Sequence, residues 1–497
     1  MDTDFLRYKF EDSHDGVITK TKFKLGIRHL QIVYMFVASV VMGMMRGSTS
    51  VGIYAISEIN GNSYVETQHW NRRIQGTILS WYFFGYAFMI IPAEKYLTQV
   101  GEKFVLTSVL LINGALSAAM PTIVNKGGWV ATCNAQFLLG LTQACVTPVN
   151  QKLIANWLPP HERRSFNQLV QGGLLLGIII ALPLSGLFFE TRLGWELIFY
   201  SQAMITFSMA AVWGLLTASS PEKHKAVGDS EGEFIREAIR CYRAKKTKKP
   251  WRLIVRTSQF WSIAAVHAST NAIFIFFLAD MPAYLKTFQV SLPNVTTQVA
   301  FSFTSLWLVY TLTAPTFDWA YRIGLIDHFF NIKYFRKIIN GLGALGPITG
   351  LIILSSYSLW DRLGDVILMA TLGFVAFQFC GFLESIKDMT QNFAGTLLVM
   401  TSVISSFVGA LVPLVTGIIV GDDITDTSRW RLIFFTLSGF SVFCNVFYTV
   451  FGSSDRQIWD DLPNTKFGYT NDASNLELEE LGTMRHKHTE NVLDSTM

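Results

Sequence analysis

Charge is what this sequence has least of. Only 15% of its 497 residues are Asp, Glu, Lys or Arg, against about 25% in a soluble globular domain. The formal net charge of +4 is too small to imply a nucleic acid or another polyanion as partner. Cysteine is scarce as well. Four of the five (Cys133, Cys145, Cys380 and Cys444) lie in apolar stretches, and Cys241 lies outside them. No CxxC or Cys/His spacing is present, which excludes a disulfide framework and a zinc module. The sequence also lacks G-x-S-x-G, H-E-x-x-H and G-x-x-x-x-G-K-[ST], so no catalytic centre, cofactor or metal is expected.

What the sequence does have is apolar length. Half of it is hydrophobic. A bilayer crossing needs about 20 mostly apolar residues. Runs of that kind fall at 30–54, 75–97, 104–124, 128–152, 166–189, 194–217, 259–281, 297–320, 336–356, 363–384, 393–421 and 430–452. The expected fold is an all-α membrane protein with twelve transmembrane helices. The first run is too long for a cleavable signal peptide and follows a polar segment.

Lys and Arg in short loops set orientation. With the N-terminus inside, 31 of the 40 cations fall in inner segments and eight in outer loops. The last, Arg46, lies within the first run. Both termini are expected to be cytoplasmic. Asn294-Val295-Thr296, the one N-x-[ST] in the chain, falls in an outer loop and marks Asn294 for glycosylation. The chain divides into a cytoplasmic N-terminus (1–29), six runs (30–217), a basic central loop (218–257), six more runs (258–452) and a polar tail (453–497). In the central loop Phe234, Ala238 and Tyr242 recur at i, i+4 and i+8. That pattern suits either a helix lying on membrane lipid, cations towards the headgroups, or a solvated linker. Six plus six around a basic loop is the layout of a major facilitator, where substrate binds at the midplane between two rocking bundles.

A polar group in hydrocarbon must find a partner or line a wet cavity. Arg46 is the foremost candidate, placed to meet a substrate carboxylate or phosphate. Gln136, Gln143 and Asn150 repeat every seven residues and share a helix face. His267, Thr270 and Asn271 share another. His267 is a candidate proton relay, and Tyr82 and Tyr86 are candidate ligand contacts. Lys95, Asp318 and Asp388 sit near run ends as anchors or gates, and Asp280 closes run seven on the outer side. Arg46 and Asp280 are expected to pair when the outer gate is shut.

The chain resembles the anion:cation symporters, which include sialin, the type I sodium–phosphate cotransporters and the vesicular glutamate and nucleotide transporters. The likeness spans about residues 26–460. It rests on Gly26-Ile27-Arg28-His29, Arg46, Gln75-Gly76-Thr77-Ile78-Leu79-Ser80 and Trp157-Leu158-Pro159-Pro160-His161-Glu162-Arg163. It continues with Leu182-Pro183-Leu184-Ser185-Gly186, Pro282-Ala283-Tyr284, Asp388 and Phe393-Ala394-Gly395. The resemblance implies a secondary transporter, not an enzyme, that carries a small organic anion with H+ or Na+ as coupling ion. Sodium-dependent phosphate uptake is the alternative, and a flux-free sensor or scaffold is another.

The departures carry information. Gln136 and Gln143 stand where acidic-substrate members have a run-four arginine and glutamate. Thr270 stands for their run-seven arginine, Leu79 for a run-two histidine, and Thr390-Gln391-Asn392-Phe393 for A-P-R-Y. The resemblance assigns proton coupling to that glutamate, and a glutamine cannot titrate. Coupling therefore falls to His267, Glu384 or another group, or to sodium. A single intramembrane cation suits a monoanion or zwitterion better than a dianion. No dileucine or tyrosine sorting signal is evident, which favours the plasma membrane over lysosomes or vesicles. Ser495-Thr496-Met497 is a weak fit to a PDZ-domain ligand.

Overall fold

The structure is a computed structural model that describes residues 26–59, 63–240, 250–322, 332–356, 362–390 and 392–460. Cys241, Ser495-Thr496-Met497 and the side chain of Asp318 lie outside the described residues. Among the described residues every regular element is helical, as hydrocarbon demands of a chain that must satisfy its own backbone.

Ten helical stretches are long and apolar enough to cross a bilayer. One of them, Glu102–Trp157, runs 56 residues, more than twice what one crossing needs. It turns back at Gly128, whose φ of 62° and ψ of −163° belong to a region that side chains other than glycine's do not tolerate. It therefore supplies the third and fourth spans. The 31-residue helix Leu292–Arg322 completes the twelve as the eighth. The first, second, fifth and sixth spans are Ile27–Ala55, Arg72–Val100, Pro160–Phe189 and Gly194–Leu216. The seventh runs Ser258–Ile275, then Phe276–Asp280 in a wider π-helical turn, then Met281–Lys286. The ninth is Ile332–Ser356. The tenth repeats the seventh's design, Arg362–Gln378, π-helical Phe379–Leu383 and Glu384–Met389. Ala394–Val420 and Thr427–Phe451 are the eleventh and twelfth.

The two six-span halves meet along the second and eleventh spans and along the fifth and eighth. Glycine makes the first approach possible. A Cβ at Gly76 would collide with the Pro413 carbonyl, and Gly417 faces the backbone of Arg72. This is the small-residue packing that membrane helices use in place of hydrophobic exclusion. The end holding the loops that the cation count assigns outside is hereafter the outer end.

The central loop does form a helix, Asp229–Arg240, and part of its apolar side meets protein. Ile235 is buried, and the Arg28 guanidinium lies over the Phe234 ring, 5.3 Å from its centroid. Glu231 accepts from the backbone N–H groups of Ile27 and Arg28, both at 3.1 Å. It thereby caps the first span, whose own Gly26 has no side chain to do so.

The tail is not free from residue 453 onward. Gln457 donates its backbone N–H to Met389 at 3.0 Å. Asp460 accepts from the Thr390 hydroxyl at 2.5 Å and the Asn392 backbone at 3.1 Å. The positions that depart from A-P-R-Y thus hold the tail against the inner end of the second half.

Candidate functional site

Arg46 is held by the first span about two and a half turns short of its outer end. Its Nε–H donates to Gln143 Oε1 at 3.0 Å, and its guanidinium lies over the Tyr86 ring at 5.1 Å. Tyr82 donates to the same Gln143 oxygen at 2.7 Å. Gln143 Nε2 donates to Asn113 Oδ1 at 3.2 Å, and Asn113 in turn donates to Thr142 Oγ1 at 2.9 Å. Four spans therefore fix one guanidinium. Gln143 is the centre of this network, with its oxygen accepting twice and its nitrogen donating. Because it is an amide, it orients Arg46 without neutralising it. A glutamate here would form an ion pair and cancel the charge.

Arg46 opens on a small cleft lined also by Thr49, Ser50, Leu79, Tyr82, Phe83 and Gln136 from the first half. Leu278 and Ala279 line it from the second. These residues include one cation and no carboxylate. Gln136 is fully buried, and its amide oxygen and nitrogen both lack partners. Asn150, the third member of the stripe, donates to Ser39 at 3.0 Å and serves helix packing.

The second-half candidates lie elsewhere. His267 shares a 3.1 Å hydrogen bond with Thr401. Thr270 donates to Gln378 at 2.7 Å and Asn271 to the Ser405 carbonyl at 2.9 Å. All three tie the seventh span to its own bundle, and none lines the cleft. Glu384 receives Lys387 at 2.5 Å, one turn on. Asp388 receives Arg336 at 3.0 Å, which also donates to the Cys380 carbonyl at 3.1 Å. Asn294 is exposed in the first turn of the eighth span.

The expected Arg46–Asp280 pair is not formed. Asp280 pairs instead with Arg72 at the start of the second span, and both side chains are 0% exposed. Geometry explains the choice, since Arg46 is occupied deeper in the first span with Gln143. Arg72 also donates to the Ala279 carbonyl at 3.1 Å and to Gln75 Oε1 at 3.2 Å. Ser50 donates to the Leu278 carbonyl at 2.5 Å. Leu278 and Ala279 both sit in the π-helical turn, which displaces the ordinary i→i−4 ladder. Their carbonyls are thus available to donors from the opposite half. Lys286 to Glu58 at 3.2 Å and Asn71 to Asp422 at 2.7 Å join the same end. The halves are closed against each other at the outer end, directly above the cleft.

Arg72, Ser50 and Gln378 escaped the sequence reading. Arg72 stands at a run boundary, where a cation reads as an interfacial anchor. Nothing in its spacing marks it as buried.

A twelve-span bundle of two halves with a polar cleft at their junction narrows the fold, and comparison with known proteins decides it. The profile of the Major Facilitator Superfamily matches residues 35–413. The chain belongs to the major facilitator superfamily. It is thus a multi-pass secondary transporter rather than an enzyme. Among its relatives, the putative inorganic phosphate cotransporter of Drosophila ananassae is 29% identical over 398 residues, covering 79% of this chain and 81% of that one. Human sialin is 26% identical over 415 residues, covering 81% and 80%. A bacterial homologue of the human lysosomal transporter Spinster shares the fold. Its inward-facing, occupied crystal structure superposes with a TM-score of 0.64 at 14% identity, covering 88% of this chain and 99% of that one. This facilitator is a divergent relative of sialin and the phosphate cotransporters.

Proposed function

We propose that this facilitator carries a small organic monoanion by alternating access, with the anionic group held at Arg46. The observation that supports this reading is a cationic side chain held by the neutral amide of Gln143, in a cleft lined by no carboxylate. Arg46 is half-buried, facing the cleft from within a membrane span, and a guanidinium placed there without a counter-charge is costly. An arriving anion removes that cost, and a dianion would keep one charge unmatched. The closed outer end then represents one side of the cycle. Release of Arg72 from Asp280 and of Ser50 from Leu278 opens the other.

Proteoliposome uptake tests the reading. Uptake of the transported anion should saturate, vanish in Arg46→Ala and survive weakly in Arg46→Lys. Undiminished uptake in Arg46→Ala refutes it. Repeating the assay with imposed proton and sodium gradients identifies the coupling ion. Asp280 adjoins the cleft through Ala279, which makes it the carboxylate to test for proton coupling. Inorganic phosphate is the second reading, favoured by the name of the Drosophila ananassae relative. It requires saturable phosphate uptake driven by sodium. Residence in the plasma membrane with both termini cytoplasmic completes the proposal, checked by surface labelling of terminally tagged protein.

A further inference from the structure

Gln136 and Gln143 stand seven residues apart on one helix face, in opposite states. Gln143 is paired on both amide atoms, by Arg46, Tyr82 and Asn113. Gln136 is 0% exposed and lines the cleft, yet neither polar atom of its amide is paired. An unpaired buried amide is destabilising, and an apolar side chain of like size would avoid the loss. Arg46, Thr49, Ser50 and Tyr82 bring polar side-chain atoms to the same lining, yet none of them hydrogen-bonds the Gln136 amide. The lining therefore supplies no group that completes Gln136.

Seven residues of helix rise about 10 Å. The anion held at the level of Gln143 and whatever completes Gln136 are thus separated along the cleft by several bonds. We propose that Gln136 is a specificity residue. Its amide pairs with a hydroxyl carried by the organic monoanion several bonds from the carboxylate at Arg46. A hydroxyl can both accept from Nε2–H and donate to Oε1. A second carboxylate can only accept, and no second cation lines the cleft to receive it. Inorganic phosphate is too compact to reach both stations.

The inference rests on the Arg46 reading and is tested beside it. Purified full-length protein is titrated calorimetrically with 6-hydroxyhexanoate, hexanoate, adipate and inorganic phosphate. The hydroxy acid is expected to bind roughly tenfold or more tighter than hexanoate, the discrimination that one well-placed hydrogen bond to a buried group supplies. Gln136→Met should erase that ratio and raise the melting temperature of the ligand-free protein. Gln136→Asn, with donor and acceptor kept on a shorter arm, should retain part of the preference. Equal affinity for hydroxy acid and hexanoate, tighter binding of adipate or phosphate, or a ratio unmoved by Gln136→Met overturns the inference. If Arg46→Ala abolishes binding while the ratio ignores Gln136, only this inference falls. If Arg46→Ala leaves all binding intact, the Arg46 reading falls with it.

Discussion

Replacing Asp280 by Asn should unlatch the outer end. In the closed state Arg72 is 0% exposed and Asp280 is its counter-charge. The variant leaves the guanidinium with the Ala279 carbonyl and Gln75, neither of which carries charge. Removing one partner of a buried pair costs about 3–5 kcal/mol. In the opened state Arg72 is hydrated and loses little by the substitution. The closed-to-open equilibrium therefore shifts by nearly the whole amount, roughly two to four powers of ten. Ala279→Cys, on the cleft side of the latch, reports the shift through labelling by a membrane-impermeant maleimide added outside. Cys133, Cys145, Cys380 and Cys444 are buried, and Cys241→Ser supplies a clean background. Labelling should be much faster in Asp280→Asn than in the parent. The double variant Arg72→Met/Asp280→Met should label close to the parent rate, because replacing a whole buried pair by apolar groups is often neutral. Unchanged labelling in Asp280→Asn, or a double variant as fast as the single, refutes the latch.

Three further outcomes follow from the same contacts. Gln143→Glu should keep the Arg46 geometry while neutralising its charge, so anion affinity should fall about tenfold or more; an affinity equal to the parent's in a binding titration excludes that role. Glu231→Ala removes the cap of the first span and one carboxylate from Arg28, and should cost about 1–2 kcal/mol, read as a lower melting temperature in detergent. Gly128→Ala forces a side chain into a glycine-only conformation at about 1–3 kcal/mol. Its melting temperature should fall by more than that of an alanine substitution at Gly214, where an added Cβ would meet nothing.

The departures from the family pattern acquire a physical meaning once the contacts are known. Glutamine at 143 preserves the hydrogen-bonding geometry around Arg46 and gives up the neutralising charge. Glutamine at 136 leaves an amide unpaired. Thr270 is turned towards Gln378 inside its own bundle, away from the cleft. Thr390 and Asn392, which replace part of a motif, donate to Asp460 in the tail.

The sequence by itself determined the membrane class, the twelve spans, the pairing of two halves and the singular position of Arg46. These follow from solvent alone, because hydrocarbon requires long apolar helices and makes any cation within one conspicuous. The link between Gln143 and Arg46 was half legible, since the seven-residue spacing placed three amides on one face without saying which would meet the arginine. Only the tertiary structure decided that Gln143 orients Arg46, that Asn150 serves packing, and that Asp280 belongs to Arg72. Those choices depend on the relative height of side chains on different spans. Helix ends and the π-helical turn at Phe276–Asp280 set that height, and an apolar sequence pattern leaves both undetermined.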